Sequence, residues 1–268
     1  MIKTAISGAS GKMGKMLIEA IMNHPEFELV AALDHAGSSS IGQDAVAFLG
    51  KESNVKITAD TACIKVSGAQ VLIDFTRPEG TVGYLKVCGE DKIAMVIGTT
   101  GFSAEQKNLI DETAKVIPIA FAPNMSTGVN VTFKLLAEAA KLMPDYDCEI
   151  VEMHHNRKVD APSGTAVEMG RVIAEARGQK LEDVAEWTRH GHTGPRVKGS
   201  IGFAVLRGGD VVGDHRVIFA GKGERIEIAH LSASREGYAQ GALKAAAFLI
   251  GKHNGLYNMA DVLGLKDN

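Results

Sequence analysis

A glycine loop between an apolar strand and an amphipathic helix constrains the fold of this chain more than any other feature. Residues 2–6 (IKTAI) predict a short strand, and the loop from Gly8 to Gly14 has the sequence GASGKMG. Apolar residues then recur at helical spacing, and a second strand is predicted from Phe27 to Asp34. A strand, a glycine loop, a helix and a strand ending in an acid form the dinucleotide-binding βαβ unit. We therefore predict that this loop binds a nicotinamide dinucleotide.

The alternation of strands and helices continues to about residue 125. Further strands are predicted at 55–60, 69–76, 93–100 and 116–123, with helices after Pro78 and after Ser103, where Gln106 completes a capping box. Such strands favour an open parallel sheet, and ligands of these sheets lie beyond the carboxyl ends of the strands. The segments that follow the strands ending near residues 98 and 121 are therefore candidates for the nicotinamide side of the pocket, although small-residue turns are an equal alternative.

The predicted cofactor site combines the loop with these strand ends. Glycines let the backbone approach the pyrophosphate, and the helix N-terminus supplies N–H groups. Twenty residues separate Gly14 from Asp34, as expected for the acid that binds the ribose. An ordinary strand–helix turn is the alternative. The predicted cofactor-binding residues are Gly8, Ala9, Ser10, Gly11, Lys12, Met13, Gly14, Asp34, His35, Gly98, Thr99, Thr100, Ala122, Pro123, Asn124 and Met125.

From about residue 126 the pattern changes. A long helix over 129–143 precedes an apolar strand-like run, and a helix over 163–177 follows it. The β-rich segments 200–209, 211–221 and 224–234 are then separated by Gly-Gly-Asp and Gly-Lys-Gly, which are turn sequences. We expect a mainly antiparallel or mixed sheet here, hence an α/β protein with a second domain over 126–235. A final helix from residue 236 should pack back onto a Rossmann domain made of 1–125 and 236–268.

Composition excludes several classes of protein. A formal net charge of −3 over 268 residues argues against a nucleic-acid surface. No apolar run approaches the 18 or so residues of a membrane helix, and the N-terminus lacks the pattern of a signal peptide. The three cysteines form no CxxC pair. We expect a protein of a reducing compartment with no metal site, no nucleic-acid partner and no membrane partner.

The stretch from Glu149 to Ala166 (EIVEMHHNRKVDAPSGTA) is the second candidate site. It places His154, His155, Arg157 and Lys158 within five residues, just before a predicted helix start at Ser163. Imidazoles, cations and a helix N-terminus together favour a small, doubly anionic ligand. Structural alternatives remain, because adjacent strand residues point to opposite faces and a lysine in a loop is usually a solvated charge.

With these motifs the chain resembles the dihydrodipicolinate reductase (4-hydroxy-tetrahydrodipicolinate reductase) family over its whole length. The matching segments are GASGKMG at 8–14, GTTGF at 98–102, EMHHNRKVDAPSGTA at 152–166, GHTG at 191–194, IGFA at 201–204, RGG at 207–209, HLSASR at 230–235 and MADVLGL at 259–265. The resemblance implies a Rossmann domain completed by the C-terminal helix, an inserted substrate-binding and oligomerisation domain, and a cytoplasmic homotetramer. It also implies NAD(P)H-dependent reduction of 4-hydroxy-tetrahydrodipicolinate, a cyclic imine with two carboxylates, to tetrahydrodipicolinate with loss of water in diaminopimelate and lysine biosynthesis.

The resemblance also implies roles for individual residues. His154 would donate the proton, with Lys158 as a cationic donor near the reacting atoms. His155 would contact one substrate carboxylate, and the backbone N–H groups of Gly164 and Thr165 the other. No family role falls on Arg157, which we expect to be a surface or interface cation.

Cofactor preference depends on the pair Asp34-His35. Many family members carry an acid followed by an arginine that binds the 2′-phosphate of NADPH, and histidine holds a phosphate less firmly. We therefore expect NADH to be used at least as well as NADPH. The alternatives are another Rossmann dehydrogenase, of the semialdehyde or homoserine type, and an NAD(H)-sensing regulator. A phosphorylating semialdehyde dehydrogenase needs a cysteine nucleophile, and Cys148 lacks an activated setting. A regulator would normally carry a DNA-binding or partner module, and no helix-turn-helix is evident.

Overall fold

The computed structural model describes residues 1–266, which form two compact units. Unit 1 contains Met1–Thr127 and the C-terminal segment from Arg235, and unit 2 contains Gly128–Ser234. The unit limits lie close to the predicted domain boundaries after residues 125 and 235. The last two residues of the predicted 236–268 segment, Asp267 and Asn268, lie outside the described residues.

The strands are β1 (Ile2–Ser7), β2 (Phe27–Leu33), β3 (Ile57–Thr58), β4 (Val71–Asp74), β5 (Ala94–Ile97), β6 (Pro118–Phe121), β7 (Asp147–His154), β8 (Ala185–Glu186), β9 (Ile201–Arg207), β10 (Gly213–Ala220), β11 (Arg225–Ser232) and β12 (Gly255–Tyr257). The helices are α1 (Lys12–Met22), α2 (Ala62–Val66), α3 (Pro78–Asp91), α4 (Ala104–Ala114), α5 (Thr127–Leu142), α6 (Gly164–Ala176), α7 (Leu181–Val184), α8 (Glu236–Leu249) and α9 (Met259–Leu263). None of the helices within residues 1–266 is long and apolar enough to cross a membrane.

Unit 1 is a doubly wound parallel sheet with the strand order β12–β6–β5–β4–β1–β2–β3. The order reverses between β1 and β4, which creates the crevice where dinucleotides bind in Rossmann folds. Helices α1 and α8 bury one face of the sheet through residues such as Leu17 and Leu249, and α3 and α4 bury the other through Leu85 and Ile110. The predicted Rossmann fold is therefore confirmed.

Local signals located the starts of two helices in this unit. Pro78 is the first residue of α3, and Ser103 with Gln106 forms a complete capping box at the start of α4. The short α9 was not predicted, although Asn258 and Asp261 form a capping box there as well. The predicted strand at 55–60 is reduced to two residues, β3, at the edge of the sheet.

Unit 2 has a mixed sheet with the strand order β11–β10–β7–β9–β8. The pairs β7–β10 and β10–β11 are antiparallel, whereas β7–β9 and β8–β9 are parallel. The expectation of a mainly antiparallel or mixed sheet is thus confirmed, with the mixed form present. The Gly-Gly-Asp sequence does not close a hairpin, because β7 lies between β9 and β10. Helices α5 and α6 cover one face of this sheet, with Leu136 and Ile173 in the core.

Candidate active site

The glycine loop is held in one tight conformation at the carboxyl end of β1. Gly8 has a φ of +66°, which favours glycine. A methyl group at Gly14 would lie 2.0 Å from the carbonyl oxygen of Gly8, so this first-turn helix position admits only a hydrogen atom. The loop therefore packs its backbone tightly against the start of α1, the position at which Rossmann folds bind a pyrophosphate.

Asp34 lies directly after β2 and is tied to this loop. One carboxylate oxygen accepts the backbone N–H of Ser10 at 3.0 Å, and the other accepts the N–H of His35 at 2.8 Å. Burial raises the pKa of Asp34, but hydrogen bonds from Ser10 and His35 outweigh it and leave the pKa below its ordinary value. The group is thus a carboxylate at neutral pH, and the following imidazole of His35 is exposed.

A buried carboxylate that the sequence did not reveal, Asp74, lies at the carboxyl end of β4. It accepts hydrogen bonds from the hydroxyls of Ser7 at 2.5 Å, Thr76 at 2.7 Å and Thr99 at 3.1 Å, and also from that of Thr81. Ser7 precedes the glycine loop, and Thr99 belongs to the predicted nicotinamide segment. Asp74 therefore joins the ends of β1 and β4 to the segment after β5, at the point where the strand order reverses.

The remaining predicted cofactor residues follow β5 and β6 at the same edge of the sheet. A methyl group at Gly98 would lie 2.2 Å from the ring of Phe75, so small size is required there. The N–H of Ala122 donates to the carbonyl of Ile97 at 3.2 Å, and Met125 is buried. The parallel sheet thus brings Gly98–Thr100 and Ala122–Met125 to the edge that carries the glycine loop and Asp34.

In unit 2 the centre of the candidate site is the pair Glu152 and His154 at the end of β7. Both side chains lie on the buried face of the strand, and Glu152 is 1% exposed. A glutamate oxygen lies 2.6 Å from His154 Nδ1. Arg207 makes a bidentate ion pair with the same carboxylate at 2.8 and 2.9 Å, and the backbone N–H of Ser163 donates to it at 2.9 Å.

These partners hold Glu152 in its ionised form. Burial raises the pKa of this carboxyl, but the hydrogen bonds from Arg207, His154 and Ser163 outweigh burial and leave the pKa below its ordinary value. A buried carboxylate with this many donors fixes the orientation of the imidazole beside it.

Ser163 connects this pair to the helix that follows. Its hydroxyl accepts the N–H of Ala166 at 3.2 Å, which caps α6 as predicted, and lies 3.0 Å from Nε2 of His215. Burial lowers the pKa of His215 to about 4, so this imidazole is neutral at neutral pH. The rings of His215 and His154 meet edge to face with centroids 5.2 Å apart.

The loop after β7 carries the predicted cation. Lys158 Nζ lies 2.8 Å from a carboxylate oxygen of Asp160, and the carbonyl of Asp160 accepts a hydrogen bond from Arg207 at 2.7 Å. His155 begins this loop, and its N–H donates to the carbonyl of Val211 at 2.7 Å. Arg157 is exposed, as expected of a surface cation.

Gly164 and Thr165 are the first two residues of α6. The N–H groups of a first helical turn point out of the N-terminal end of the helix, where they attract anions. Unit 2 therefore brings His154, Ser163 and the start of α6 together through Glu152, and it places Lys158 in the loop between them.

Sequence inspection missed Glu152, Arg207 and His215. Two signals pointed to Glu152: it shares a strand face with His154, and an acid on the buried face of an apolar strand requires a partner. No comparable local signal identified Arg207 or His215, because both reach the site through strand pairing.

Cys148 does not supply a nucleophile. It is fully buried on β7, and burial raises the pKa of its thiol to about 12. A dehydrogenase of the phosphorylating semialdehyde type requires a reactive thiolate, so the environment of Cys148 argues against that alternative.

Comparison with known proteins places both units in one family. Residues 2–125 match the model of the dihydrodipicolinate reductase N-terminus, and residues 128–263 match that of its C-terminus. The 4-hydroxy-tetrahydrodipicolinate reductases of Polynucleobacter necessarius and Herminiimonas arsenicoxydans are 57% and 58% identical to this chain, with 99% of it covered and 100% and 99% of theirs.

A solved structure agrees with these relatives. The dipicolinate-bound dihydrodipicolinate reductase from Paenisporosarcina sp. TG-14 superimposes with a TM-score of 0.77 at 27% identity, covering 97% of this chain and 98% of that one. From its two family domains and its full-length relatives, the chain belongs to the dihydrodipicolinate reductase family.

Proposed function

We propose that this protein is an NAD(P)H-dependent reductase that converts 4-hydroxy-tetrahydrodipicolinate to tetrahydrodipicolinate with loss of water, in the pathway to diaminopimelate and lysine. The observation that carries the proposal is the buried Glu152–His154 pair beside the capped start of α6. Family membership and the Rossmann unit support the same reaction.

The residues of unit 1 fit a dinucleotide. The glycine loop would form the pyrophosphate cradle, because the packing of Gly14 on the carbonyl of Gly8, too close for a methyl group, holds the loop backbone against the start of α1. The carboxylate of Asp34 would accept the ribose hydroxyls, and the segments Gly98–Thr100 and Ala122–Met125 would line the nicotinamide. When bound, the reduced nicotinamide supplies the hydride.

NADH should serve at least as well as NADPH. The ionised Asp34 repels a 2′-phosphate, and His35 is a weaker phosphate ligand than arginine. Some use of NADPH is still expected, because Lys12 and His35 would be available to contact its 2′-phosphate. Steady-state kinetics test this preference: a kcat/KM for NADPH more than tenfold above that for NADH would contradict it. His35→Arg should then raise kcat/KM for NADPH.

Unit 2 would bind the substrate by its two carboxylates. The N–H groups of Gly164 and Thr165 at the start of α6 would hold one carboxylate, and His155 the other. The solved relative with bound dipicolinate supports a small dicarboxylate ligand. Lys158 would add a positive charge near the reacting ring.

Proton delivery falls to His154. Its Nδ1 faces Glu152, and Nε2 has no hydrogen-bond partner among residues 1–266, so the ring is oriented to give a proton from Nε2. As the hydride arrives, negative charge develops on the conjugated ring and must be neutralised. Histidine is suited to this task because it gains and loses protons near neutral pH.

The test is turnover of the product of dihydrodipicolinate synthase with NADH, followed at the nicotinamide absorbance. We expect activity in the purified protein, and no turnover would refute the proposal. His154→Gln and Lys158→Ala should each lower kcat by roughly a hundredfold or more while NADH binding is retained. Loss of NADH binding would instead assign these residues to the cofactor site.

A cytoplasmic homotetramer is the further proposal about the whole protein. Two large apolar side chains, Leu206 and Leu231, stand exposed on the face of the unit 2 sheet opposite α5 and α6. A sheet face of this kind is typical of a subunit interface. Light scattering during gel filtration should give four times the mass of one chain, and a monomer would contradict the proposal.

A further inference from the structure

We propose that Glu152 is a positioning residue that holds His154 with Nε2 directed at the substrate, and that Arg207 and Gly213 complete this arrangement. The inference rests on the proposed role of His154 as the proton donor. Glu152, Arg207 and Gly213 would contribute to the reaction through His154, without contacting substrate or cofactor.

The carboxylate of Glu152 is saturated by donors. One oxygen accepts from His154 Nδ1 and from Arg207, and the other accepts from the Ser163 N–H and from Arg207. Each oxygen therefore meets two N–H groups. An amide at position 152 would have to place its own NH₂ group against two of these donors, so only a carboxylate satisfies the site.

Holding Nδ1 determines which ring nitrogen can react. Because the Nδ1–H group is hydrogen-bonded to Glu152, the imidazolium of His154 can transfer only the Nε2 proton. The electron pair of the broken N–H bond stays on Nε2. The ring is left neutral, with its Nδ1–H group still hydrogen-bonded to Glu152. Solvent then returns the proton to Nε2. The carboxylate is needed in both states, and Arg207 compensates its charge throughout.

Gly213 keeps the reactive side of the ring open. It is the first residue of β10, next to Asp214, which pairs with Met153 on β7. A methyl group at Gly213 would lie 2.9 Å from Nε2 of His154 and 3.3 Å from Cδ2. Any side chain at this position would therefore press on the nitrogen that gives the proton.

Arg207 links the two groups proposed for the chemistry. The guanidinium grips Glu152 and also donates to the carbonyl of Asp160, whose carboxylate holds Lys158. Strand β9, which carries Arg207, thereby fixes the imidazole on β7 and the loop with Lys158 relative to each other. Lysine at position 207 would keep the charge but lose the bidentate geometry.

The first test compares Glu152→Gln with Glu149→Gln. Glu149 also lies on β7 and also pairs with arginines, Arg189 and Arg196, so it is a matched control. We expect Glu152→Gln to lower kcat at least about tenfold with the Kd for NADH unchanged, and Glu149→Gln to leave kcat unchanged. In ¹⁵N spectra of the His154 ring, the Nδ1-protonated form should dominate in the wild type and give way to mixed tautomers in Glu152→Gln.

A double-mutant cycle separates positioning from a structural role. If Glu152 acts through His154, Glu152→Gln should cause no further loss of kcat in a His154→Gln background. An equal loss in both backgrounds, or an unchanged ¹⁵N pattern, would overturn the inference. A wild-type kcat in His154→Gln alone would instead refute the proposed role of His154.

Gly213→Ala tests the other side of the ring without touching the carboxylate, should Glu152→Gln fail to fold. It should lower kcat at least about tenfold, and Arg207→Lys should lower kcat by a smaller factor. Wild-type kcat in Gly213→Ala would contradict the inference that this glycine clears the reactive nitrogen.

Discussion

The Cα of Gly14 lies so close to the carbonyl oxygen of Gly8 that a methyl group on it would be 2.0 Å from that oxygen. The two residues lie at opposite ends of the glycine loop. Because the obstacle is backbone, a larger residue at position 14 can be admitted only if the loop itself opens.

Gly14→Ala should therefore weaken NADH binding at least about tenfold and lower the melting temperature, since the pyrophosphate cradle must deform. Fluorescence titration and thermal melts measure the two effects. Gly83→Ala is the control, because Gly83 lies inside α3 with open space around its Cα. There alanine should stabilise by about 0.5–1 kcal/mol through its helix propensity. Equal NADH affinity in Gly14→Ala and the wild type would contradict the proposed cradle.

Asp74→Asn should destabilise unit 1 by about 1.5–3 kcal/mol, the range for hydrogen bonds to a charged group. The amide replaces one of the oxygens that receive hydroxyl hydrogens from Ser7 and Thr99, so the glycine loop and the predicted nicotinamide segment lose their common anchor. NADH affinity should fall as well. In the control Asp111→Asn, on the exposed side of α4, stability should change by no more than about 0.5 kcal/mol. Urea unfolding measures these changes in stability. Identical midpoints for Asp74→Asn and the wild type would contradict the anchoring role of Asp74.

His215 should make the protein less stable in mild acid. Its pKa is about 4 in the folded chain against 6.5 ordinarily, so between these values the unfolded chain binds the extra proton. Stability from this group is thus complete above pH 6.5 and is lost as the pH falls towards 4. The contribution lost between pH 7 and 5 is about 2 kcal/mol.

His215→Asn should reduce the drop in unfolding free energy between pH 7 and pH 5 by that amount, because asparagine does not titrate. Denaturant unfolding at the two pH values gives the difference. The exposed His253→Asn serves as control and should keep the wild-type pH dependence. A His215→Asn protein with an undiminished pH dependence would show that other groups cause the acid sensitivity.

Cys148 should be chemically silent. With a pKa of about 12 and no exposure, its thiol should resist iodoacetamide in the native protein at pH 8 and react only after unfolding. Cys148→Ala should retain kcat within about twofold, since no step of the proposed reaction uses the thiol. Mass spectrometry of the labelled peptides and steady-state rates provide the measurements. Loss of turnover on alkylation of Cys148 would revive the semialdehyde alternative.

The parts of this fold that are local in sequence were predictable. The spacing from Gly8 through Gly14 to Asp34 predicts a βαβ unit, because the whole signature lies within one short segment of the sequence. Ser163 likewise caps α6 through a contact three residues away. His154 was also identified from its neighbours in the chain, with the proton-donor role supplied by the family resemblance.

Non-local pairing was not predictable in the same way. Arg207 is one of many basic residues, and only the parallel pairing of β9 with β7 brings it to Glu152. The same pairing separates β9 from β10, so turn residues that would normally close a hairpin serve a crossover. Asp74 was not predictable because its partners lie on β1, in the loops after β4 and β5 and in α3, which meet only in the folded unit.

The division of the chain into two units has a consequence for the order in which they fold during synthesis. Unit 2 is one continuous segment, whereas unit 1 needs α8 and β12 from the end of the chain to cover and extend its sheet. Domains usually fold in the order in which they are synthesised. Here we expect the reverse order. Unit 2 can fold first, and unit 1 can complete its fold only after α8 and β12 have been synthesised.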